Sequence, residues 1–254
     1  MFAASEKLRH FYASRQGELT RDLVLDGIDA LWPQHGPRAR LMTLGYAAPY
    51  LGDLSKRVES ALALAPASQG AFSAQGKRGK NAVALIDETK LPLGDASVDI
   101  AVVIHALECT ESRREMLREI WRVLAGGGTL VAVVPNRTGL WWMSESSAFG
   151  SGAPFSGGQI RRALGDAMFE PLVTRPALCI PPWRMPLPGT ALRGLDKAGR
   201  KLGGLMAGVN VITARKTLYG GTALPVDEKL VAFPSTAVGR GAAARSSHLQ
   251  IVDE

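Results

Sequence analysis

The sequence predicts an α/β fold, doubly wound, with a mainly parallel sheet covered by helices on both sides. Three observations predict it. Two apolar runs, "VDIAVVIHAL" and "TLVAVVP", do not alternate in polarity, as expected of strands buried on both faces. Segments with helical spacing stand between such runs, so strands and helices take turns along the chain. The length, 254 residues, suits one large domain with appendages and a proper core.

Residues 18–32 open with helical periodicity, since Leu19, Leu23, Val24, Ile28 and Leu31 fall on one face. "WPQHGPR" ends that helix with two prolines and a glycine. Residues 41–44 read as a first strand and 50–62 as a helix, with Leu51, Leu54 and Val58 on one side. Residues 63–65 give a short second strand, 82–86 a third and 98–107 a fourth. Ser112 and Glu115 have the S-x-x-E spacing of a capping box, ahead of Met116, Leu117, Ile120, Trp121 and Leu124. "AGGG" stops that helix, and residues 129–135 form a fifth strand. A second box, Ser156 with Gln159, opens a helix carrying Ile160, Leu164 and Met168. Residues 172–180 and 209–218 are the last strands.

The organisation expected is an N-terminal helical cap over residues 1–37, an α/β domain over 38–221, and a flexible tail over 222–254. The tail is rich in Ala, Ser, Gly and Pro without a sustained period. Residues 181–208 stand as an insertion between the last two strands. In it Leu192, Leu195, Leu202 and Leu205 share one helical face, and Arg193, Lys197, Arg200 and Lys201 form a basic one. The five glycines from Gly194 to Gly208 make it a poor free helix, so a lid folded against the domain is expected.

Composition narrows the function classes. No run of eighteen apolar residues exists, which leaves no spanning helix. The N-terminal "MFAASEKLRHFYASRQGEL" lacks the apolar core of a secretory signal. Cys109 and Cys179 lie far apart, without CxxC or Cys/His ligand spacing. They read as reduced thiols in a cytoplasmic protein, with no metal site. The net charge is +7, concentrated in Lys77, Arg78 and Lys80 and between Arg184 and Lys216, where seven cations face Asp196 alone. That stretch suits an acidic partner or an anionic membrane surface. Trp183, at its edge, is the one aromatic, too few for interleaved single-strand recognition, so nucleic acid is disfavoured.

In an open α/β sheet the ligand lies beyond the carboxyl ends of the strands. Here those ends hold Gly45, Asp87, Glu88, His105, Glu108, Asn136 and the pair Trp141/Trp142. Neither GxGxxG nor GxxxxGK[ST] occurs, which disfavours dinucleotide and nucleoside-triphosphate enzymes.

Residues 87–136, "DETKLPLGDASVDIAVVIHALECTESRREMLREIWRVLAGGGTLVAVVPN", resemble the class I S-adenosylmethionine-dependent methyltransferases of the small-molecule, type 11-like group. That pattern reads D-x-x-x-L-P, F-D, L-x-E-x-x-R-V-L-x-x-G-G. Asp87 precedes Leu91-Pro92, Asp99 starts the fourth strand, and Glu119, Arg122, Leu124 and Gly127-Gly128 keep their spacing. The resemblance covers roughly residues 38–220. It implies a Rossmann-like seven-stranded sheet with an antiparallel last strand, and methyl transfer from a sulfonium cofactor. The glycine turn is degenerate: its acidic position falls on Thr43, its first glycine on Gly45 and its second on Ala47. The ribose carboxylate falls near Ala65, where no acid stands, while Asp87, the adenine contact, is kept.

The resemblance implies S-adenosylmethionine as cofactor, near Gly45, Tyr46, Ala47, Asp87, Glu88 and His105, with Tyr46 or Tyr50 lying over it. A charged hydrogen bond contributes on the order of 1.5–3 kcal/mol, so losing the ribose carboxylate weakens binding by roughly ten- to a hundredfold unless another group replaces it. His105, at the rim, is the candidate general base, with Glu108 a weaker one. Trap-like aromatics Trp141, Trp142 and Phe149 are candidates for lining an apolar acceptor site. The reading is a methyltransferase acting on a small or hydrophobic acceptor. Its alternative is a catalytically inactive relative serving as a binding or regulatory subunit of a partner protein.

Overall fold

The computed structural model describes residues 4–74, 83–183, 185, 187–202 and 206–217. The expectations for Lys77, Arg78, Lys80, Ala82, Arg184, Leu205 and the 222–254 tail lie outside the described residues.

Seven strands form one sheet: β1 (Arg40–Gly45), β2 (Ser60–Pro66), β3 (Val83–Ile86), β4 (Val98–Ile104), β5 (Leu124–Pro135), β6 (Phe169–Ala177) and β7 (Val209–Lys216). Their spatial order is β3-β2-β1-β4-β5-β7-β6. The first five run parallel, and β7 is antiparallel to both β5 and β6. The helices are α1 (Ala4–Tyr12), α2 (Arg15–Asp29), α3 (Ala48–Ser55), α4 (Arg113–Val123), α5 (Gly157–Asp166) and α6 (Gly189–Lys201).

Alternate residues of each strand serve opposite faces. On one face Met42, Leu44, Ala101, Val103, Leu130 and Ala132 pack against Met116, Leu117 and Ile120 of α4 and Ile160 and Leu164 of α5. On the other, Leu41, Ile100, Val102, Ile104, Val131 and Val133 meet Leu23, Val24 and Ile28 of α2 and Tyr50 and Leu54 of α3. Two layers of core on one sheet explain why β4 and β5 read as continuous apolar runs.

Several local expectations are corrected. The helix expected over 50–62 is α3, which begins at Ala48 and ends at Ser55; β2 claims residues 60–62, and Val58 is buried in the turn between. The last strands lie at Phe169–Ala177 and Val209–Lys216. α5 has its full capping box: Ser156 Oγ accepts from Gln159 N and Gln159 Oε1 accepts from Ser156 N. α4 does not, because the Ser112 side chain makes no cap bond; instead Thr110 Oγ1 accepts from Ser112 N.

α1 was not legible as a separate helix. It turns into α2 at Ser14, whose Oγ accepts from Gly17 N. Gly17 is required there, since a Cβ would lie 2.0 Å from the Phe11 carbonyl oxygen. The insertion folds as α6 and docks through buried Leu192 and Asp196. Asp196 accepts from Cys179 N and from Arg200, and Arg193 pairs with Asp22 of α2. The leucine face expected to act as one unit is therefore split: Leu192 is inside, Leu195 and Leu202 outside.

Candidate functional site

β1 lies between β2 and β4, so the chain winds away from it in both directions and leaves a crevice at its carboxyl end. Gly45 ends β1 at φ +93°, and a Cβ there would stand 2.1 Å from the Ile104 carbonyl oxygen. Only glycine fits. Ala47 follows at φ −97°, a conformation open to any residue, and opens α3 as its N-cap. The alanine in place of the second glycine thus carries no backbone strain. The chain keeps the form of a tight turn opening a helix, with one glycine instead of two.

α1 brings an aromatic side chain into this crevice. Tyr12 Oη lies 2.8 Å from His105 Nε2 and 2.9 Å from Tyr50 Oη, and its ring stacks on Tyr46. Phe72 covers Tyr46 from another side, with ring centroids 4.8 Å apart. Burial, then the neighbouring Tyr50, drives the Tyr12 phenol well above its ordinary pKa, and burial does the same to Tyr50 and Tyr46. All three remain neutral hydroxyls at physiological pH.

His105 sits just past β4 at φ +56°, buried, with Nδ1 3.5 Å from Glu108 Oε1. Its backbone carbonyl accepts from Gln69 Nε2. Gln69 closes the short 3-10 turn after β2, so its side chain spans β1 to reach the end of β4. Four buried side-chain atoms have no hydrogen-bond partner among the described residues: Thr43 Oγ1, Gln69 Oε1, and both carboxylate oxygens of Glu108. They belong to β1 and to the turns following β2 and β4, the strands that border the crevice. Orphaned buried polar atoms are costly and rare.

Asp87, directly after β3, is exposed, and its Oδ1 accepts from Thr89 Oγ1 at 2.6 Å and Thr89 N at 2.8 Å. Those bonds hold its carboxyl below the usual carboxylate range, so it is a ready anionic acceptor. Glu88 is half-buried and accepts from Thr110 Oγ1. No cluster of three metal-ligating side chains occurs among the described residues.

The aromatics after β5 separate. Trp141 is fully buried and donates from Nε1 to the Ile180 carbonyl at 2.6 Å. Phe149 is buried with its ring 4.6 Å from that of His105, so it backs the crevice. Trp142 points elsewhere and donates to the Arg137 carbonyl. Desolvation by its neighbours, then Glu108, pushes the Cys109 thiol up to about 12, although the residue as a whole is exposed.

Most of the patterned residues between 91 and 124 hold the fold. Arg122 binds both carboxylate oxygens of Glu119 (2.9 and 2.8 Å) and the carbonyls of Leu91 and Leu93, while Leu91 N donates to Glu119 Oε2. This staples α4 to the turn after β3. Asp99 accepts from Arg40 across β1 and β4. Tyr12, Gln69 and Phe72 escaped the sequence reading; the signal for Tyr12 was its apolar spacing with Leu8, and Gln69 had none.

Residues 44–132 match a family profile described as a methyltransferase domain. No curated protein matched in sequence. Among solved structures, the chain is similar to an S-adenosylmethionine-dependent methyltransferase from Thermotoga maritima, described as a possible histamine N-methyltransferase. The identity is 18%, covering 84% of this chain and 96% of that one, with a TM-score of 0.60. A Haloferax volcanii chain described as a methyltransferase, solved with the Trm112 methyltransferase activator, is 14% identical over 83% of this chain and 98% of that one, TM-score 0.57. Geranyl diphosphate C-methyltransferase from Streptomyces coelicolor A3(2), solved with Mg2+, geranyl diphosphate and S-adenosyl-L-homocysteine, is 17% identical over 77% and 79%, TM-score 0.53.

Proposed function

We propose that this chain, whose residues 44–132 match a methyltransferase domain and whose fold is similar to that of S-adenosylmethionine-dependent methyltransferases, transfers a methyl group to a small or hydrophobic acceptor bound beside His105. The observation that carries this reading is the set of buried polar atoms without a hydrogen bond among the described residues, Thr43 Oγ1, Gln69 Oε1 and the Glu108 carboxylate, in β1 and in the turns after β2 and β4. The residues present fit the cofactor class. Gly45 keeps the turn free of a Cβ, Asp87 offers a charged acceptor beyond β3, and Gln69 Oε1 offers an acceptor after β2, where Ala65 brings none.

S-adenosylmethionine supplies the electrophilic methyl on its sulfonium. The protein's part is to position the acceptor, exclude water and take a proton where the acceptor carries one. His105 does the last at Nε2, with Glu108 beside Nδ1 steadying the positive charge that the ring gains. Tyr12 engages that same nitrogen, so α1 must yield it before an acceptor can use it. Phe149, against the imidazole, supplies an apolar wall.

Calorimetric titration with S-adenosylhomocysteine tests the reading. Micromolar binding is expected, weakened about tenfold or more in Asp87→Ala, the worth of a charged hydrogen bond. Absence of heat at millimolar ligand from folded protein overturns it. The second reading, a binding subunit for a partner protein, is favoured by the self-filled crevice, in which Tyr12, Tyr46 and Phe72 lie over the turn.

A further inference from the structure

We infer that α6 and the chain around it form a docking surface for an anionic lipid bilayer. The inference does not depend on methyl transfer. Over residues 181–208 there is one acid, Asp196, and it is buried, bonded to Cys179 N and Arg200. Arg193 and Arg200 are likewise turned to α2 and α6's own carboxylate, pairing with Asp22, Asp26 and Asp196. What α6 itself turns outward is therefore cationic and apolar, its own acid being buried, while the nearest carboxylates, Asp22 and Asp26 of α2, are engaged by Arg193 and Arg200. Lys197 and Lys201 are exposed and have no ion-pair partner among the described residues. Leu195 and Leu202, seven residues and two helical turns apart, are both exposed, Leu202 at 84%. Trp183 at 59% and Leu187 precede the helix and Met206 follows it, all exposed.

Five of the large apolar side chains that face water thus lie within 24 residues that also carry two unpaired lysines. A duplex or single-stranded nucleic acid would use the lysines and leave the leucines in water. A bilayer surface uses both: anionic headgroups meet the ammonium groups, and Leu195, Leu202 and a tryptophan enter the headgroup boundary. No helix among the described residues is long and apolar enough to cross a membrane, so this contact lies along the surface.

The test is sedimentation of the full chain with vesicles of phosphatidylcholine alone or mixed with phosphatidylglycerol. Binding to the mixed vesicles, falling with salt, and little to phosphatidylcholine alone is expected. Lys197→Ala with Lys201→Ala should weaken it about tenfold or more. Leu195→Ser with Leu202→Ser should remove what survives at high salt. Both pairs are exposed, so melting curves of the variants should match the parent. No binding at low salt, equal binding to both vesicles, or indifference to both double variants overturns the inference. So does a concentration-dependent dimer in ultracentrifugation that Leu202→Glu dissolves, since a second copy would then be the occupant.

Discussion

Gly45 is held by two separate restraints, its positive φ and the Ile104 carbonyl 2.1 Å from where a Cβ would be. Gly45→Ala is expected to destabilise the protein by about 3 kcal/mol or more, read by urea denaturation. Ala47→Gly should cost under about 1 kcal/mol and leave S-adenosylhomocysteine affinity unchanged, because its backbone is already relaxed. The need for a glycine at 45 was legible, since an apolar run meets it at a strand end. The identity of the polar groups around it was not. Gln69 reaches His105 across 36 positions and Tyr12 reaches it across 93, and no local period encodes such a meeting. Ala65 looked like a plain loss of an acceptor, yet Gln69, four residues on, brings an unused carbonyl oxygen to the same side of the sheet.

At the scale of elements, the staple between α4 and the turn after β3 draws on two carboxylates, Glu119 and the exposed Asp95, both bonded to Arg122. Arg122 holds the Glu119 carboxyl below its ordinary range. Its contribution is therefore complete above about pH 4.3, the ordinary glutamate value, and fades as pH falls through the depressed one. Glu119→Gln should lose about 1–2 kcal/mol at pH 7, with the gap to the parent closing below about pH 4 in thermal melts. α1 is a second such element, fixed to the crevice by one hydroxyl. Tyr12→Phe removes that hydroxyl's two bonds, to His105 and Tyr50, together worth about 2 kcal/mol, so the amides of α1 should exchange roughly thirtyfold faster by hydrogen-exchange mass spectrometry while those of β4 and β5 stay protected. The two S-x-x-[EQ] spacings show how far a motif carries. Ser156 takes extended dihedrals and caps, whereas Ser112, at ψ 45°, makes no cap bond, and Thr110 Oγ1 takes the Ser112 N–H that an N3 side chain takes in a full box. Spacing sets both helix starts; the backbone angle decides whether the serine caps.

For the whole molecule, the unalternating runs at β4 and β5 announced a sheet covered twice, and the stretch from Asp87 to Asn136 announced its architecture. The end of α3 is misplaced by the sequence because Ala61 and Leu62, at the start of β2, carry apolar side chains that serve either period. The insertion was read as a lid with one leucine face. Of that face only Leu192 is buried among the described residues, beside the Asp196 carboxylate with its bonds to Cys179 and Arg200.

The strand order also fixes a sequence of events during synthesis. β7 is the last strand made among the described residues, yet it lies between β5 and β6 and is the neighbour through which β6 joins the sheet. Until residue 216 has left the ribosome, β5 holds an open, mostly apolar edge from Thr129 to Pro135, and β6 has nothing to pair with. A nascent chain halted in the insertion therefore exposes its most adhesive strand to its neighbours, and holding that edge shielded until the final strand arrives is where a chaperone would matter most.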